Sequence, residues 1–543
     1  MVALPVRSLA ILALSLAVRT WASPTGSSAS APIVDLGYAS YQGSLDPTTN
    51  VTTFKGIRYA APPLGDLRFA APQPPTTESG VQPATENPAM CYQGPYGNNN
   101  TAPVSVYGFN KRATPVQATS EDCLFLNVFL PGEMPAEPVS GGGLPVVFWI
   151  HGGGYDSGSA AAYNGTDLIM EAHGGVIVVA TQYRLGAFGF LAGNEVKAGG
   201  ATNIGILDQR YALEWVQKNI ATFGGDASKV TIWGQSAGAG SVLQHLVANG
   251  GNTQPPLFAA AITSSTFLPS QYNYNDRVPQ LIYDELVAQT GCSSSSDTLA
   301  CLRTVNATAI ETANEYIASS AFFGSYVWVP VVDGTLITER PSLTMASGQV
   351  NGDYFLAFGN TFEGTDFVNQ NETLTVTDYV AQLFPDLPLE QVEEAAYLYQ
   401  DLGTPLQQAD YIMGESIFVC PTYFILEPFA GRSWKGIFAI PPGLHGDDVA
   451  YYFDDVPPPY NNTQFLTAFD ETFMSFAMYH NPNIKFDPTN ITPYWNEYYI
   501  GQSEMLFNTT EAFVPEVVPV TTDQGLLDRC AYVVLAFTSG GRC

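Results

Sequence analysis

Positive charge is scarce in this chain: 20 Lys and Arg stand against 50 Asp and Glu, for a formal charge of -30 at pH 7. A surface of that sign repels phosphate backbones and anionic membrane faces. It excludes nucleic acid as a partner and suits solubility in a mildly acidic exterior. Long apolar runs are also missing. The run Leu9-Ala10-Ile11-Leu12-Ala13-Leu14-Ser15-Leu16-Ala17-Val18 falls short of the roughly 20 residues that a membrane span needs. With Arg7 before it and Thr20-Trp21-Ala22 after it, it reads as an export signal over residues 1–22, leaving 23–543 as the mature chain. The tail Ala531-Tyr532-Val533-Val534-Leu535-Ala536-Phe537 is too brief for a span or a lipid-anchor signal. Secretion with no stable membrane anchor is the expectation.

Cysteine is sparse as well. Seven residues in 543 leave stability to the hydrophobic core, with disulfides pinning loops, and an odd count leaves at least one thiol unpaired within the chain. No C-x-x-C pair or His/Cys cluster has zinc spacing, so no metal site is expected. Export agrees with the sequons, which begin at Asn50, Asn99, Asn164, Asn306, Asn371, Asn461, Asn490 and Asn508.

What is plentiful points to a large folded domain. The chain is 46% hydrophobic and 13% charged, far from the disordered class. Leu144–Ile150, Gly175–Ala180, Val230–Trp233 and Leu257–Ile262 are apolar runs of strand length. Tyr354–Phe358 and Gly436–Ile440 are two more. Runs apolar on both faces suit central strands of a mostly parallel sheet covered by helices. Between them, Ile206 to Ala221 places Ile206, Leu213, Val216 and Ile220 on one helical face. Strand and helix alternate, which is the α/β signature. The chemical motifs spread across most of the chain, so one domain with loop and helix insertions is expected.

The most informative stretch is Gly234-Gln235-Ser236-Ala237-Gly238, with an apolar strand before it and a helical segment after it. A nucleophile elbow needs that context: a sharp strained turn, small flanking residues, and a hydroxyl exposed at a helix N-terminus. The serine needs a base, and the base an orienting acid. Of five histidines, His151, His173, His245 and His480 lie beside a glycine run, on helical segments or before Asn481-Pro482. His445 stands in a loop directly after a strand, where an α/β sheet presents catalytic groups. Glu363 sits in a glycine-bounded loop after another strand, with Asp447 and Asp448 as rivals for the acid. The order Ser236, Glu363, His445 is that of α/β-hydrolases. Finally, His151-Gly152-Gly153-Gly154 follows the strand ending at Ile150. The N–H groups of Gly153, Gly154 and Ala237 make a three-donor oxyanion hole, where one lost donor typically costs ~10²–10³ in rate.

With these motifs stand Phe54-Lys55-Gly56-Ile57-Arg58-Tyr59-Ala60, Leu67-Arg68-Phe69 and Ser120-Glu121-Asp122-Cys123-Leu124-Phe125-Leu126-Asn127-Val128. Tyr183-Arg184-Leu185-Gly186 and Asn203-Ile204-Gly205-Ile206-Leu207-Asp208-Gln209-Arg210 follow. Together they resemble the type-B carboxylesterase/lipase family, which includes cholinesterases and secreted fungal lipases. The resemblance covers nearly all of residues 23–543. It implies an α/β-hydrolase fold, ester hydrolysis through an acyl-enzyme, and no cofactor. It matches Ser236, Glu363 and His445 to the family's catalytic residues, and Gly153, Gly154 and Ala237 to its oxyanion donors. It also implies the disulfides Cys91–Cys123 and Cys292–Cys301. Cys420 and Cys530 resemble a third pair, with a buried free thiol at Cys420 as the alternative. Cys543 is left over, unpaired or bridging two chains; a monomer or weak homo-oligomer is expected.

Three departures narrow the ester. No Trp lies between Cys91 and Cys123, only Tyr92, Tyr96, Tyr107, Phe109 and polar residues, so the stacking partner of a quaternary ammonium is absent. Gln235 stands where the family usually has Glu. Choline esters are therefore disfavoured. Gly94-Pro95-Tyr96-Gly97-Asn98-Asn99-Asn100-Thr101 is too rich in turn formers for an amphipathic lid. A carboxylesterase on dissolved esters ranks above an interfacial lipase, with phenolic and sterol esters open. A non-catalytic family member, a peptidase and a thioesterase are the rival readings.

Overall fold

Residues 31–99, 118–453 and 457–538 are described by the computed structural model. The proposed export signal, Cys543 and much of the first disulfide loop, including Tyr107 and Phe109, lie outside them.

The continuous apolar runs become strands buried on both faces. Val146, Phe148 and Ile150 enter one apolar layer, while Val147 and Trp149 enter the other, as the two-residue period of a strand dictates. Among the described residues, eleven strands form the main sheet. They are β1 (Ser44–Asp46), β2 (Val51–Arg58), β3 (Phe125–Pro131), β4 (Leu144–Ile150), β5 (Ile177–Thr181) and β6 (Gly225–Gln235). After them come β7 (Ala260–Ser264), β8 (Tyr354–Asn360), β9 (Ser433–Phe438), β10 (Ser503–Thr509) and β11 (Pro515–Thr521). Their order across the sheet is β11-β10-β9-β8-β7-β6-β4-β5-β3-β2-β1. The central strands from β5 to β10 run parallel, and both margins are antiparallel. Ile33–Asp35, Ser40–Gln42 and Val81–Pro83 make a separate small sheet. The alternation of strand and helix predicts the α/β class seen here, and the family resemblance its α/β-hydrolase architecture.

Six helices matter below: α1 (Ile204–Asn219), α2 (Ala237–Gly251), α3 (Pro405–Gly414), α4 (Cys420–Leu426), α5 (Thr463–Tyr479) and α6 (Gln524–Thr538). Ile206, Leu213 and Val216 of α1 are fully buried, and Ile220 follows in a short 3-10 turn. On the opposite face of the sheet, Trp233 stacks on Phe473 of α5 at 4.7 Å and meets Trp149 edge-on at 5.2 Å.

Several strand boundaries differ from the apolar runs, β6 most of all, since it extends from Gly225 to Gln235 around Val230–Trp233. The run Leu257–Ile262 overshoots: β7 begins at Ala260, because Leu257 and Phe258 are buried side chains that lie off the ladder. Conversely, β9 begins three residues before Gly436 and includes Lys435, a buried ammonium that no apolar pattern reveals. Three disulfides join Cys91 to Cys123, Cys292 to Cys301 and Cys420 to Cys530. The third ties α4 to α6 and closes a separation of 110 residues. Residues Pro32–Cys543 form one compact unit. Among the described residues no helix is long and apolar enough to cross a membrane.

Below the site, two of the sequence motifs meet in a buried ion pair. Arg184 Nε donates to Asp208 Oδ2 at 2.8 Å and its Nη2 to Oδ1 at 2.6 Å, while the Arg184 backbone N–H donates to Oδ2 at 3.1 Å. The side chains are 4% and 0% exposed, so neither charge has water to fall back on. Removing one partner of such a pair costs about 3–5 kcal/mol, whereas removing both costs much less. Arg184→Met should therefore lower the unfolding free energy by about 3–5 kcal/mol in urea titration. Arg184→Met with Asp208→Leu should recover most of the loss.

Candidate active site

Strand β6 ends at Gln235 and α2 begins at Ala237, leaving Ser236 to turn the chain at φ 57°, ψ -125°. A non-glycine residue held there carries of order 1–3 kcal/mol of strain, so the surroundings must over-determine it. They do. A Cβ on Gly234 would stand 2.3 Å from the Gly238 carbonyl carbon, and one on Gly238 would stand 2.0 Å from Ile150 O. Ser236 N–H donates to Ser264 O at 2.9 Å, anchoring the turn to β7. The small residues of the pentapeptide are thus a packing necessity.

The glycine loop after β4 presses on this turn. A Cβ on Gly152 would meet Gln235 O at 2.6 Å and Ser236 Cβ at 3.0 Å. Gly153 and Gly154 have φ of 110° and 66°, where side chains are strained. Gly153 O accepts from Asp156 N at 3.0 Å and Ser157 N at 2.9 Å, which curls the loop. Among the described residues the N–H groups of Gly153 and Gly154 donate to no protein acceptor. Ala237 N–H, at the first position of α2, has no intrahelical acceptor either. The Tyr326 ring lies against Gly154, in the space a Cβ would occupy.

Glu363 and His445 leave β8 and β9 in loops that meet through a bridge between Phe362 and Leu444. Glu363 is 2% exposed. Its Oε1 accepts from Asn360 N at 2.6 Å and Ser265 Oγ at 2.7 Å, and its Oε2 accepts from His445 Nδ1 at 2.6 Å. Three donors fix the carboxylate and the carboxylate fixes the ring. With Nδ1–H given to Glu363, Nε2 carries the lone pair, and Gln235 Nε2 donates to it at 3.3 Å. Among the described residues no hydrogen bond joins Ser236 Oγ to the imidazole. Phe418 and Phe367 flank the ring at centroid distances of 4.5 and 4.9 Å.

The rival acids are occupied elsewhere. Asp447 Oδ2 accepts from Leu444 N at 2.8 Å, and Asp448 accepts from Asn360 Nδ2 and the Tyr452 hydroxyl. The other histidines lie apart from this cluster of side chains. Burial pushes His151 down to about 4 and His245 down to about 3. His151 stacks on Tyr183, His480 on Tyr354, and His173 meets Phe486. Sequence reasoning missed Ser265 and Asn360, which hold the carboxylate, and the rings of Tyr326, Phe367 and Phe418. Asn360 ends β8 three residues before Glu363, and Ser265 lies within the polar run Thr263–Thr266 at the end of β7. Phe367 lies four residues beyond Glu363, whereas Tyr326 and Phe418 come from distant segments and carry no local signal. Phe267, Tyr326, Trp328, Phe384, Ile417 and Phe418 line an apolar cavity of about 270 Å³, and of its walls Phe418 packs on the imidazole and Tyr326 on Gly154.

The carboxylesterase family model matches residues 30–517. The chain is 38% identical over 349 residues to "Secreted lipase 1" of Botryotinia fuckeliana, a match covering 62% of this chain and 60% of that protein. It therefore spans less than two thirds of that relative's length. "Lipase 2" of Geotrichum candidum is 31% identical over 509 residues, covering 84% of this chain and 88% of that one. The crystal structure of Aspergillus niger EstA superposes with a TM-score of 0.81 at 30% identity, covering 94% of this chain and 99% of that one.

Two neighbouring acids, Asp156 buried just after the glycine run and Glu311 half-buried, interact electrostatically. Asp156 is fully buried with neither carboxyl oxygen hydrogen-bonded, while its backbone oxygen accepts from Gly94 N at 2.6 Å. Burial, then Glu311, raises its pKa well above the ordinary value. Glu311 accepts from Gln93 N at 3.1 Å and is pushed from 4.5 up to about 8, by burial first and Glu315 next. The folded chain keeps a proton that the unfolded chain releases, so this group costs stability as pH rises from about 4.5 through about 8. Glu311→Gln should raise the melting temperature relative to the parent at pH 8 and leave it nearly unchanged at pH 4, measured by calorimetry.

Proposed function

The chain belongs to the carboxylesterase family, and on that premise we propose that it is a secreted serine hydrolase cleaving carboxylic esters through an acyl-enzyme. The observation that carries this is the imidazole of His445, gripped by Glu363 at 2.6 Å and reaching with Nε2 to Gln235, the residue before the strained Ser236. His445 takes the Ser236 proton as Oγ attacks the ester carbonyl. The N–H groups of Gly153, Gly154 and Ala237 receive the developing oxyanion. The alcohol departs with the proton from His445, and water then releases the acid. The carboxylate of Glu363 steadies the imidazolium. In the resting arrangement Gln235 occupies Nε2, so substrate entry must bring Ser236 Oγ to that lone pair; catalytic hydrogen bonds often tighten only in the complex.

The aromatic cavity supports esters with an apolar acyl group, and the family reading supports no cofactor. Secretion is supported by the Botryotinia relative, which is named a secreted lipase. A lipase acting on long-chain lipid esters is the second reading, favoured by relatives that bear that name.

A p-nitrophenyl ester series of rising acyl length tests the proposal. The parent should cleave butyrate with burst kinetics. Ser236→Ala and Glu363→Gln should each lower kcat by about 10⁴-fold or more, the second through the wrong imidazole tautomer. A Ser236→Ala protein retaining a tenth of parental activity would overturn the assignment.

A further inference from the structure

A charged side chain in the middle of a buried strand is costly unless its surroundings use the charge. Lys435 of β9 is 4% exposed, and in register it stands beside Ala357 of β8 and Glu504 of β10. Glu504 is fully buried. Its Oε1 accepts from the Tyr423 hydroxyl at 2.9 Å and from Thr522 Oγ1. Its Oε2 lies 3.7 Å from Lys435 Nζ, beyond the reach of a good hydrogen bond. The ammonium donates instead to Gly436 O, so it is not committed to Glu504. Burial pulls the lysine below its ordinary pKa, and Glu504, then Glu363, oppose that pull.

On its other side Lys435 faces the strand that leads into the acid loop. Gly359 lies two residues after Ala357, hence on the same face of β8, and it has no side chain. A Cβ there would stand 3.8 Å from Lys435 Nζ and 3.5 Å from Glu363 Oε1. The ammonium and that carboxylate oxygen thus border one small space. Oε1 is the oxygen held by Asn360 N and Ser265 Oγ, while Oε2 takes the imidazole.

The other charges nearby offer Glu363 no cation. Lys435 and Arg529 are the described cations lining a cavity of about 400 Å³ behind the acid, with Asp410, Asp523 and Glu415 as further acids. Arg529 is spent on Glu415, to which its Nε and Nη2 each donate at 2.7 Å. Asp366, Asp447 and Asp448, which interact with Glu363 and His445, are acids themselves. Surroundings so rich in carboxylates favour an imidazolium over a free base, and Lys435 is the charge that opposes them.

We propose that Lys435 is a positioning residue for the reaction: its ammonium is the counter-ion of the Glu363 carboxylate, and by compensating that charge it keeps the imidazole of His445 unprotonated at lower pH. The inference rests on the ester-hydrolase reading above. The ammonium touches neither the imidazole nor Ser236 and acts through the acid between them.

The test measures kcat/KM for p-nitrophenyl butyrate from about pH 4 to 9, and follows the Nδ1 proton of His445 by NMR over the same range. Lys435→Met should move the acid limb of the profile up by about half a pH unit or more, and the imidazole titration with it. Lys435→Arg keeps the charge and extends into the adjoining cavity, and it should bring both back to the parent's position. Lys435→Met with Glu504→Gln leaves no orphaned charge at that pair, and its limb should still lie above the parent's, by less than in the single variant. A limb and an imidazole titration unchanged in Lys435→Met overturn the proposal. So does an equal shift in Lys435→Arg, which would make the effect one of packing. Should Lys435→Met not yield folded protein, the double variant is set against Lys435→Arg in its place, and an unchanged limb there overturns the proposal equally. A parent unable to cleave butyrate sinks the hydrolase reading, and the imidazole titration then decides the role of Lys435 by itself.

Discussion

Ile150 and Gly234 are paired in neighbouring parallel strands, so the loops leaving β4 and β6 must cross the same small space. One carries the glycine run and the other carries Ser236. Gly238 fits against Ile150 O, and Gly152 against Gln235 and Ser236, only because neither has a side chain. That close approach packs the glycine loop against the turn at Ser236, which stands at positive φ. The remaining parts attach to this junction. Strand β7 anchors the turn through Ser264, and the loops after β8 and β9 bring in the acid and the imidazole.

The acid loop is built with similar economy. Ser265 and Asn360, from the ends of adjacent strands, hold one oxygen of Glu363 and leave the other for His445. Asn360 also holds Asp448, so a potential competitor is engaged in orienting the site. Gln235 alters the chemistry more subtly. Its uncharged amide nitrogen lies 3.3 Å from His445 Nε2, whereas a glutamate there would set a second carboxylate beside the ring. Near the glycine loop, buried Asp156 leaves both carboxyl oxygens without a hydrogen bond, while half-buried Glu311 accepts from Gln93 N.

The parts legible in the sequence were those with local cause. Strands β4, β5, β6 and β8 showed as apolar runs because both of their faces are covered. The elbow and glycine loop showed because close backbone approach restricts residue choice to a few small types. Their neighbours Glu363 and His445 were placed by order and by position after strands. What escaped has a common physical origin. Lys435 inside β9 is stabilised by Glu504, far along the chain, so it broke the apolar pattern without warning. Phe418 and Tyr326 reach the site from segments remote from its motifs, and only the fold shows that they converge there with Phe367 of the acid loop. Leu257 and Phe258 misled for the opposite reason, since burial does not require a place on the ladder.

In the proposed mechanism, the Ser236 alcohol and three backbone amides meet at one point set by the packing of β4 against β6. A crystal structure of the protein after reaction with a fluorophosphonate measures this directly. Phosphorus should be bonded to Ser236 Oγ, with the phosphoryl oxygen about 2.7–3.1 Å from the nitrogens of Gly153, Gly154 and Ala237. An adduct on another residue, or a phosphoryl oxygen turned away from those three amides, would contradict it.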